Sequence, residues 1–290
     1  MQYIISGATS GTGDRVITRL AEKVGVDNIT CLVRSTSPVG LLQSLGLRYH
    51  EGDVTDPDSL QSLLNPQTIY IDMTHPKYYH KSLEAVVRAG VERAYFITTT
   101  GIFSRYNHCS QIYRENEAKI RASGITYTIL RPSMIYGSMR DKNMHRLITF
   151  LARSPVFPLF GAGRSMMQPV FADDLADGIV AAIDDPRTEN QEYNLAGPSP
   201  ISYRRIVETI LDKLDRRVQL LNISTYLAAS VVRGAQYIPF FPINHEQVLR
   251  LHEDKVFDIS KAEVELNYRP RPFAVGIATE IEEMRNEGVI

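Results

Sequence analysis

The stretch Tyr3-Ile4-Ile5-Ser6-Gly7-Ala8-Thr9-Ser10-Gly11-Thr12-Gly13-Asp14-Arg15-Val16 constrains this chain more than any other. A short β-type run ends in three glycines, and an apolar-periodic segment (Val16, Ile17, Leu20) follows. That order predicts a strand, a tight turn and a helix. Gly7 suits the sharp turn, Gly11 lets the backbone come close to a pyrophosphate, and Gly13 lets the helix pack against the strand. The helix N-terminus offers free N–H groups and a partial positive charge to phosphates. The spacing is G-x-x-x-G-x-G rather than the plain G-x-G-x-x-G. Followed by a second strand, it predicts a dinucleotide site formed by Gly7, Thr9, Ser10, Gly11, Thr12 and Gly13, against the plainer alternative of a structural βα turn.

The first half of the chain alternates strand and helix signals. Strands are predicted at Tyr3–Ser6, Ile29–Val33, Leu47–His50, Thr68–Met73, Ala94–Thr98 and Thr126–Leu130. Helices are predicted at 14–24, 39–45, 57–64 (capped by Asp56), 80–89 and 112–123. The apolar runs do not alternate, as expected for strands covered on both faces, so the fold class is α/β with a doubly wound parallel sheet. The second half changes character. Helices are expected at 144–152, 173–183, 203–214 and 276–286, a strand at 192–195, and a loop-rich stretch at 154–169. The predicted layout is a dinucleotide-binding core over 1–138 and a smaller, mainly helical substrate lobe over 139–290, from which about 166–195 returns to the core.

Composition excludes several classes. A net charge of −1 gives no electrostatic reason to expect a nucleic-acid partner. Two cysteines, Cys31 and Cys109, make no disulfide framework and fit a reducing compartment. No basic segment followed by an apolar one opens the chain, so a cytoplasmic location is expected. Leu220 to Ile243 is apolar but carries Asn222, Arg233, Gly234, Pro239 and Pro242. It is expected to be a substrate-lobe helix and a Pro-rich turn, with a partner or membrane face as the alternative, and not a membrane span.

The motifs taken together resemble the short-chain dehydrogenase/reductase superfamily, in the extended and atypical branches that hold NAD-dependent epimerases, dehydratases and NmrA-like proteins. The resemblance rests on Ser6–Gly13, Gly52-Asp53-Val54, Ile97–Thr100, Leu130-Arg131-Pro132 with Tyr136-Gly137, Pro169–Leu175, Tyr193–Pro198, and Ser260-Lys261-Ala262 with Leu266-Asn267-Tyr268. It implies that Asp53 lies near the adenine with Val54 beside the ring. It also implies that Thr74, Thr98 and Pro132 line the cofactor. Members preferring NAD place an acidic residue at the end of the second strand; here Arg34-Ser35 stands there. A guanidinium pairs with a 2′-phosphate, so NADP is the expected cofactor, with NAD as the alternative. Members often dimerise, so a homodimer is a possible state.

The catalytic pattern departs from the family. Its enzymes pair a tyrosine with a lysine four residues on, plus a Ser or Thr from a strand end; the ammonium lowers the pKa of the phenol that moves the proton. Thr99 and Thr100 match the Ser/Thr position, and Thr100 and Tyr113 are the candidate catalytic residues. The residue four on from Tyr113 is Glu117, an anion that would raise the phenol's pKa. Shifting the register puts Cys109 and Tyr113 at the Tyr and Lys places. Lys119 is expected to face elsewhere.

Asp72 is expected to be satisfied by loop N–H groups, with a raised-pKa carboxylate as the alternative. His75, Tyr79 and His80 suggest a polar mouth, and no ligand spacing suggests a metal. Asp173 and Asp174 read as helix caps, and Arg131 as structural or near the nicotinamide phosphates. His75, Arg140, Asn143, Arg164 and Gln168 are the candidate substrate contacts, the last two where sugar-nucleotide enzymes of the family hold a diphosphate. The expected function is an NAD(P)-dependent oxidoreductase or epimerase acting on a nucleotide sugar or other small carbonyl or alcohol. The alternative is a non-catalytic NADP-binding regulatory or assembly-factor protein.

Overall fold

The computed structural model describes residues 1–141, 143–224 and 253–290. Its strands are β1 (Gln2–Ser6), β2 (Ile29–Val33), β3 (Arg48–Glu51), β4 (Thr68–Asp72), β5 (Arg93–Ile97), β6 (Thr126–Pro132), β7 (Ile135–Tyr136), β8 (Val156–Phe160), β9 (Met166–Met167), β10 (Val170–Phe171), β11 (Gln191–Leu195), β12 (Ile201–Ser202) and β13 (Gln219–Ile223). Its helices are α1 (Gly13–Val24), α2 (Gly40–Ser44), α3 (Pro57–Gln61), α4 (Tyr79–Arg88), α5 (Ser110–Ala122), α6 (Met144–Arg153), α7 (Ala172–Ala182), α8 (Tyr203–Leu214), α9 (Ser260–Glu265) and α10 (Phe273–Asn286).

Seven strands form one parallel sheet in the order β11-β6-β5-β4-β1-β2-β3. The order reverses between β1 and β4. In an open α/β sheet, the crevice outside the carboxyl ends of the strands at that reversal is where ligands bind. The central strands are buried on both faces because helices cover both. On one side α1 lays Val16, Ile17, Leu20 and Ala21 against the sheet beside α7. On the other, Leu83, Val86, Ile120 and Phe96 pack in a second cluster with Tyr70 and Tyr79. The side chain of Asp56 accepts from Asp58 N–H and starts α3 as expected.

A third cluster holds the lobe formed by α6, α8 and α10, with Phe157, Leu159, Tyr136 and Phe171. Chain returns to the core after the lobe through more than 166–195. Ile259, Ala262, Leu266 and Tyr268 join the core cluster, and Tyr268 Oη donates to Ala196 O at 3.0 Å.

Three expectations are corrected here. The loop-rich 154–169 stretch contains β8, which pairs in parallel with β13. Leu220 therefore opens no helix: Gln219–Ile223 is one strand of a ribbon, and Pro158 is tolerated in the partner because that ribbon has only two strands. The rest of the 220–243 expectation lies outside the described residues. Among the described residues, no helix is long and apolar enough to cross a membrane. Lastly, Asp173 and Asp174 are in the first turn of α7 but make no cap hydrogen bond. Asp173 receives Arg19 Nη2 at 2.7 Å. The buried Asp174 accepts from Arg271 Nε and N, both at 2.8 Å.

Candidate active site

The glycine-rich turn lies at the carboxyl end of β1, at the sheet's reversal point. Gly7 has φ +84°, and a Cβ there would sit 2.5 Å from the Met73 carbonyl carbon at the end of β4. Only glycine permits both that backbone and that approach. At Gly13 a Cβ would fall 2.6 Å from Ala8 O, so the first turn of α1 rests directly on the loop. Ser10 closes the turn, its Oγ accepting from Gly13 N–H at 2.9 Å, while Thr12 at the start of α1 makes no side-chain cap. A Cβ at Gly11 would lie 2.6 Å from Ser138 Oγ and 3.5 Å from Arg140 Cβ. Gly11 thus also admits the 137–141 loop of the second lobe.

That loop carries Arg140 back over the turn. Its Nη1 donates to Thr9 O at 2.9 Å and lies 3.0 Å from Asp14 Oδ2. Arg140, expected to meet the substrate, instead stands at the cofactor loop. Arg15 fastens the same junction, donating to Gly11 O and Gly137 O at 3.0 and 2.6 Å. Asp14 is raised from the usual carboxylate range by burial, against the pull of Arg140 and Arg15.

At the far end of the crevice Arg34 and Ser35 follow β2, both exposed, in a turn closed by Ser37 N–H to Arg34 O at 2.8 Å. Asp53 follows β3 and bonds Thr55 N and Oγ1, both at 2.8 Å. Those bonds, with the nearby Arg34 charge, hold its carboxyl below the usual range against the opposing effect of burial. Val54 is buried beneath. The glycine cradle at the carboxyl end of β1, beside the sheet's reversal point, fits a dinucleotide.

Between β4 and β5 the floor is a closed polar network. Asp72 is fully buried and accepts from Thr74 N and Oγ1 at 2.9 and 2.6 Å and from Tyr70 Oη at 3.1 Å. Burial raises its pKa, opposed by these partners and Ser82. Tyr79 is buried and donates to Ile97 O at 2.5 Å. Its place is in the floor rather than at the mouth.

The family's catalytic region is rebuilt around an ion pair. Glu117 is 1% exposed; its Oε2 receives Arg131 Nη2 at 2.5 Å, its Oε1 receives Arg131 Nε at 2.9 Å, and Thr98 Oγ1 donates to Oε1 at 2.9 Å. Arg131 also pairs with Glu192, and Arg121 bridges both carboxylates. Thr98, expected at the cofactor, spends its hydroxyl here. Arg131 is a structural cation. Thr100 is buried and donates to Pro132 O at 3.2 Å, so its hydroxyl faces the backbone of β6. Tyr113 is 6% exposed, its ring 5.9 Å from that of His75, and Lys119 is exposed on the other face of α5.

His75 is exposed and heads the one-turn 3-10 helix Pro76–Tyr78. Its Nδ1 accepts from Lys77 N–H at 3.3 Å, and Asn116 Nδ2 of α5 donates to Pro76 O at 2.7 Å. Burial first, and the Lys77 ammonium second, lower its pKa from the usual value.

The remaining candidates sit on separate segments of the chain. Gln168 is buried, its Nε2 donating to Gly197 O at 2.7 Å and its Oε1 accepting from Phe257 N at 2.8 Å. Both ends of the amide are engaged in joining chain segments. Arg164 is exposed after the turn Gly161–Gly163. Asn143 is exposed and its N–H donates to Asp141 Oδ1 at 2.7 Å; Asp141, not Asn143, caps α6 through Met144 N. Asp14, Arg15, Lys77 and Ser138 were not singled out in the sequence. Among the described residues, no three His, Cys, Asp or Glu side chains are grouped as metal ligands.

Residues 7–186 match the model of a family described as NAD(P)H-binding. Over 93% of both chains, the protein is 21% identical to the uncharacterized Escherichia coli protein YbjS. It is 24% identical to mouse mitochondrial NADH dehydrogenase [ubiquinone] 1 alpha subcomplex subunit 9, over 92% of this chain and 76% of that one. Among solved structures, the dTDP-glucose 4,6-dehydratase DesIV of Streptomyces venezuelae, a double mutant with NAD bound, superposes with TM-score 0.77 at 18% identity over the whole of both chains. The NADPH-dependent quinone oxidoreductase of E. coli, complexed with NADPH, gives TM-score 0.75 at 20% identity, covering 96% of this chain and 99% of that one. These structural likenesses establish the Rossmann-type fold.

Proposed function

The chain belongs to the NAD(P)H-binding family, and within it we propose that it is an NADP(H)-dependent oxidoreductase acting on a small carbonyl or quinone rather than on a nucleotide sugar. The observation that carries this reading is the buried Glu117–Arg131 pair. Glu117 stands four residues after Tyr113, where an epimerase or dehydratase of the family pattern carries its lysine. Epimerisation and dehydration need a base that takes a proton from the substrate and a group that returns one. Reduction of a quinone or an activated carbonyl makes a smaller demand, because the reduced oxygen takes its proton from water. The buried, doubly bonded Gln168 also argues against a sugar diphosphate in the second lobe.

Bound NADPH would supply the hydride. The residues of this chain do the rest. The amides of the Gly7–Gly13 loop and Arg140 hold the diphosphate, Arg34 holds the 2′-phosphate, and the Asp72 network keeps the floor rigid and dry. The test is NADPH oxidation, followed by absorbance, with benzoquinone, phenanthrenequinone and a set of nucleotide sugars, together with calorimetric binding of NADPH. Turnover with the quinones and none with the sugars is expected. Tight NADPH binding with no turnover on any acceptor would overturn the reading in favour of a non-catalytic cofactor-binding protein.

A further inference from the structure

We propose that His75 is the group that receives the substrate oxygen, as a neutral imidazole donating its Nε2–H into the cleft. The inference rests on the oxidoreductase reading above.

Both threonines at the family's Ser/Thr position are engaged with backbone: Thr100 donates to Pro132 O, and Thr99 Oγ1 accepts from Gly101 N–H. His75 is exposed at the carboxyl end of β4, beside the sheet's reversal point, with the Tyr113 ring against it. Its backbone role selects a tautomer: Nδ1 accepts the Lys77 N–H at 3.3 Å and heads the turn Pro76–Tyr78, and an accepting Nδ1 leaves the proton of the neutral ring to Nε2. Among the described residues, the groups that face the ring are Lys77 and Tyr78 on its own turn and Tyr113 on α5, and none of these is an anion that would stabilise an imidazolium. The turn itself is pinned to α5 by Asn116. A fixed neutral donor of this kind polarises a carbonyl and stabilises the oxyanion without itself losing a proton.

The step balances without a further reagent. The acceptor carbon gains a C–H bond with the electron pair leaving the reduced nicotinamide, which is oxidised. The carbonyl oxygen becomes an oxyanion held by His75 Nε2–H and then takes a proton from water.

Two variants separate this role from the cap. His75→Asn keeps a side-chain acceptor for Lys77 N–H and withdraws the donor from the cleft. His75→Gln extends an amide N–H₂ toward the place of Nε2. With phenanthrenequinone and NADPH, His75→Asn should lose roughly 10²–10³-fold in kcat/KM, the loss typical of one oxyanion donor. His75→Gln should recover part of it, and both should bind NADPH as the unmutated protein does. The imidazole nitrogen shifts of His75 in the cofactor-free protein should report the Nε2–H tautomer. Turnover of His75→Asn within about twofold of the unmutated protein, or an Nδ1–H signature, would overturn the assignment while leaving the oxidoreductase reading standing. An unmutated protein that binds NADPH and reduces neither quinone would overturn both.

Discussion

Glu117 and Arg131 form a buried, two-point ion pair, with Arg131 Nη2 2.5 Å from Glu117 Oε2 and Nε 2.9 Å from Oε1. It ties the middle of α5 to the end of β6, and Thr98 from the end of β5 completes it. The place where the family pattern has a proton-relay lysine is therefore occupied by a structural anion. A lysine at 117 would put a second cation against Arg131, so no relay is restored by it. Glu117→Lys should lower stability and not raise activity. Glu117→Gln, which leaves Arg131 facing only Glu192, should cost about 3–5 kcal/mol, the usual loss on breaking a buried pair. Denaturant unfolding measures both, and an unchanged midpoint for Glu117→Gln would show that Glu192 and Arg121 carry the cluster alone.

Arg34 should set cofactor choice. A charge-assisted pair to a 2′-phosphate contributes roughly 1.5–3 kcal/mol, which is about ten- to a hundredfold in affinity. Calorimetry should show NADPH bound that much more tightly than NADH. Arg34→Ala should erase most of the difference while NADH affinity hardly moves. Equal affinities in the unmutated protein would mean that the guanidinium serves only Asp53.

Arg140 should act on the other phosphates. It sits on Thr9 O and pairs with Asp14, whose carboxylate would otherwise repel the diphosphate. Arg140→Ala should weaken NADPH and NADH by the same factor, roughly tenfold, because the diphosphate is common to both. A loss confined to NADPH would assign Arg140 to the 2′-phosphate, and no loss would return it to the substrate.

Glu280 gives the fold a pH dependence. Its side chain is fully buried on α10; Oε2 accepts Gly137 N–H at 2.9 Å, and Oε1 has no hydrogen-bond partner among the described residues. Burial first, then the Asp141 charge, push its pKa from 4.5 to about 8. The folded state therefore holds a proton that the unfolded state releases between these values. Its stabilising effect is complete below about pH 4.5 and declines as pH rises to about 8. Glu280→Gln should raise the melting temperature more at pH 8 than at pH 6 and flatten the profile between them. A profile unaltered by the substitution would mean that another group titrates there.

Much of this architecture was legible because each local signal agreed with its neighbours. The glycine spacing, the uninterrupted apolar runs of β1, β4 and β5, and Asp56 before Pro57 each specified an element by a short-range physical cause. What escaped was set by pairing at long range. β8 and β13 are edge strands whose partners lie 63 positions apart in register (Val156 with Gln219), and neither run alone distinguishes a strand from a loop or helix. The same holds at the site. Glu117 read as an anion that would disturb Tyr113, because its neutralising partner lies 14 residues on and on another strand. Gln168 looked available because nothing in its own segment reveals Gly197 and Phe257. His75 was legible as a polar residue at the mouth; its tautomer required the Lys77 amide.

The central claim is that catalysis proceeds without a Tyr/Lys pair, and the rate of Tyr113→Phe tests it most directly. With NADPH and phenanthrenequinone, kcat/KM of Tyr113→Phe should fall by less than about tenfold, since the phenol is nearly buried and has no ammonium partner four residues on. A loss of roughly 10²–10⁴-fold, the range for removing a general acid or base, would contradict the account and make Tyr113 the proton carrier.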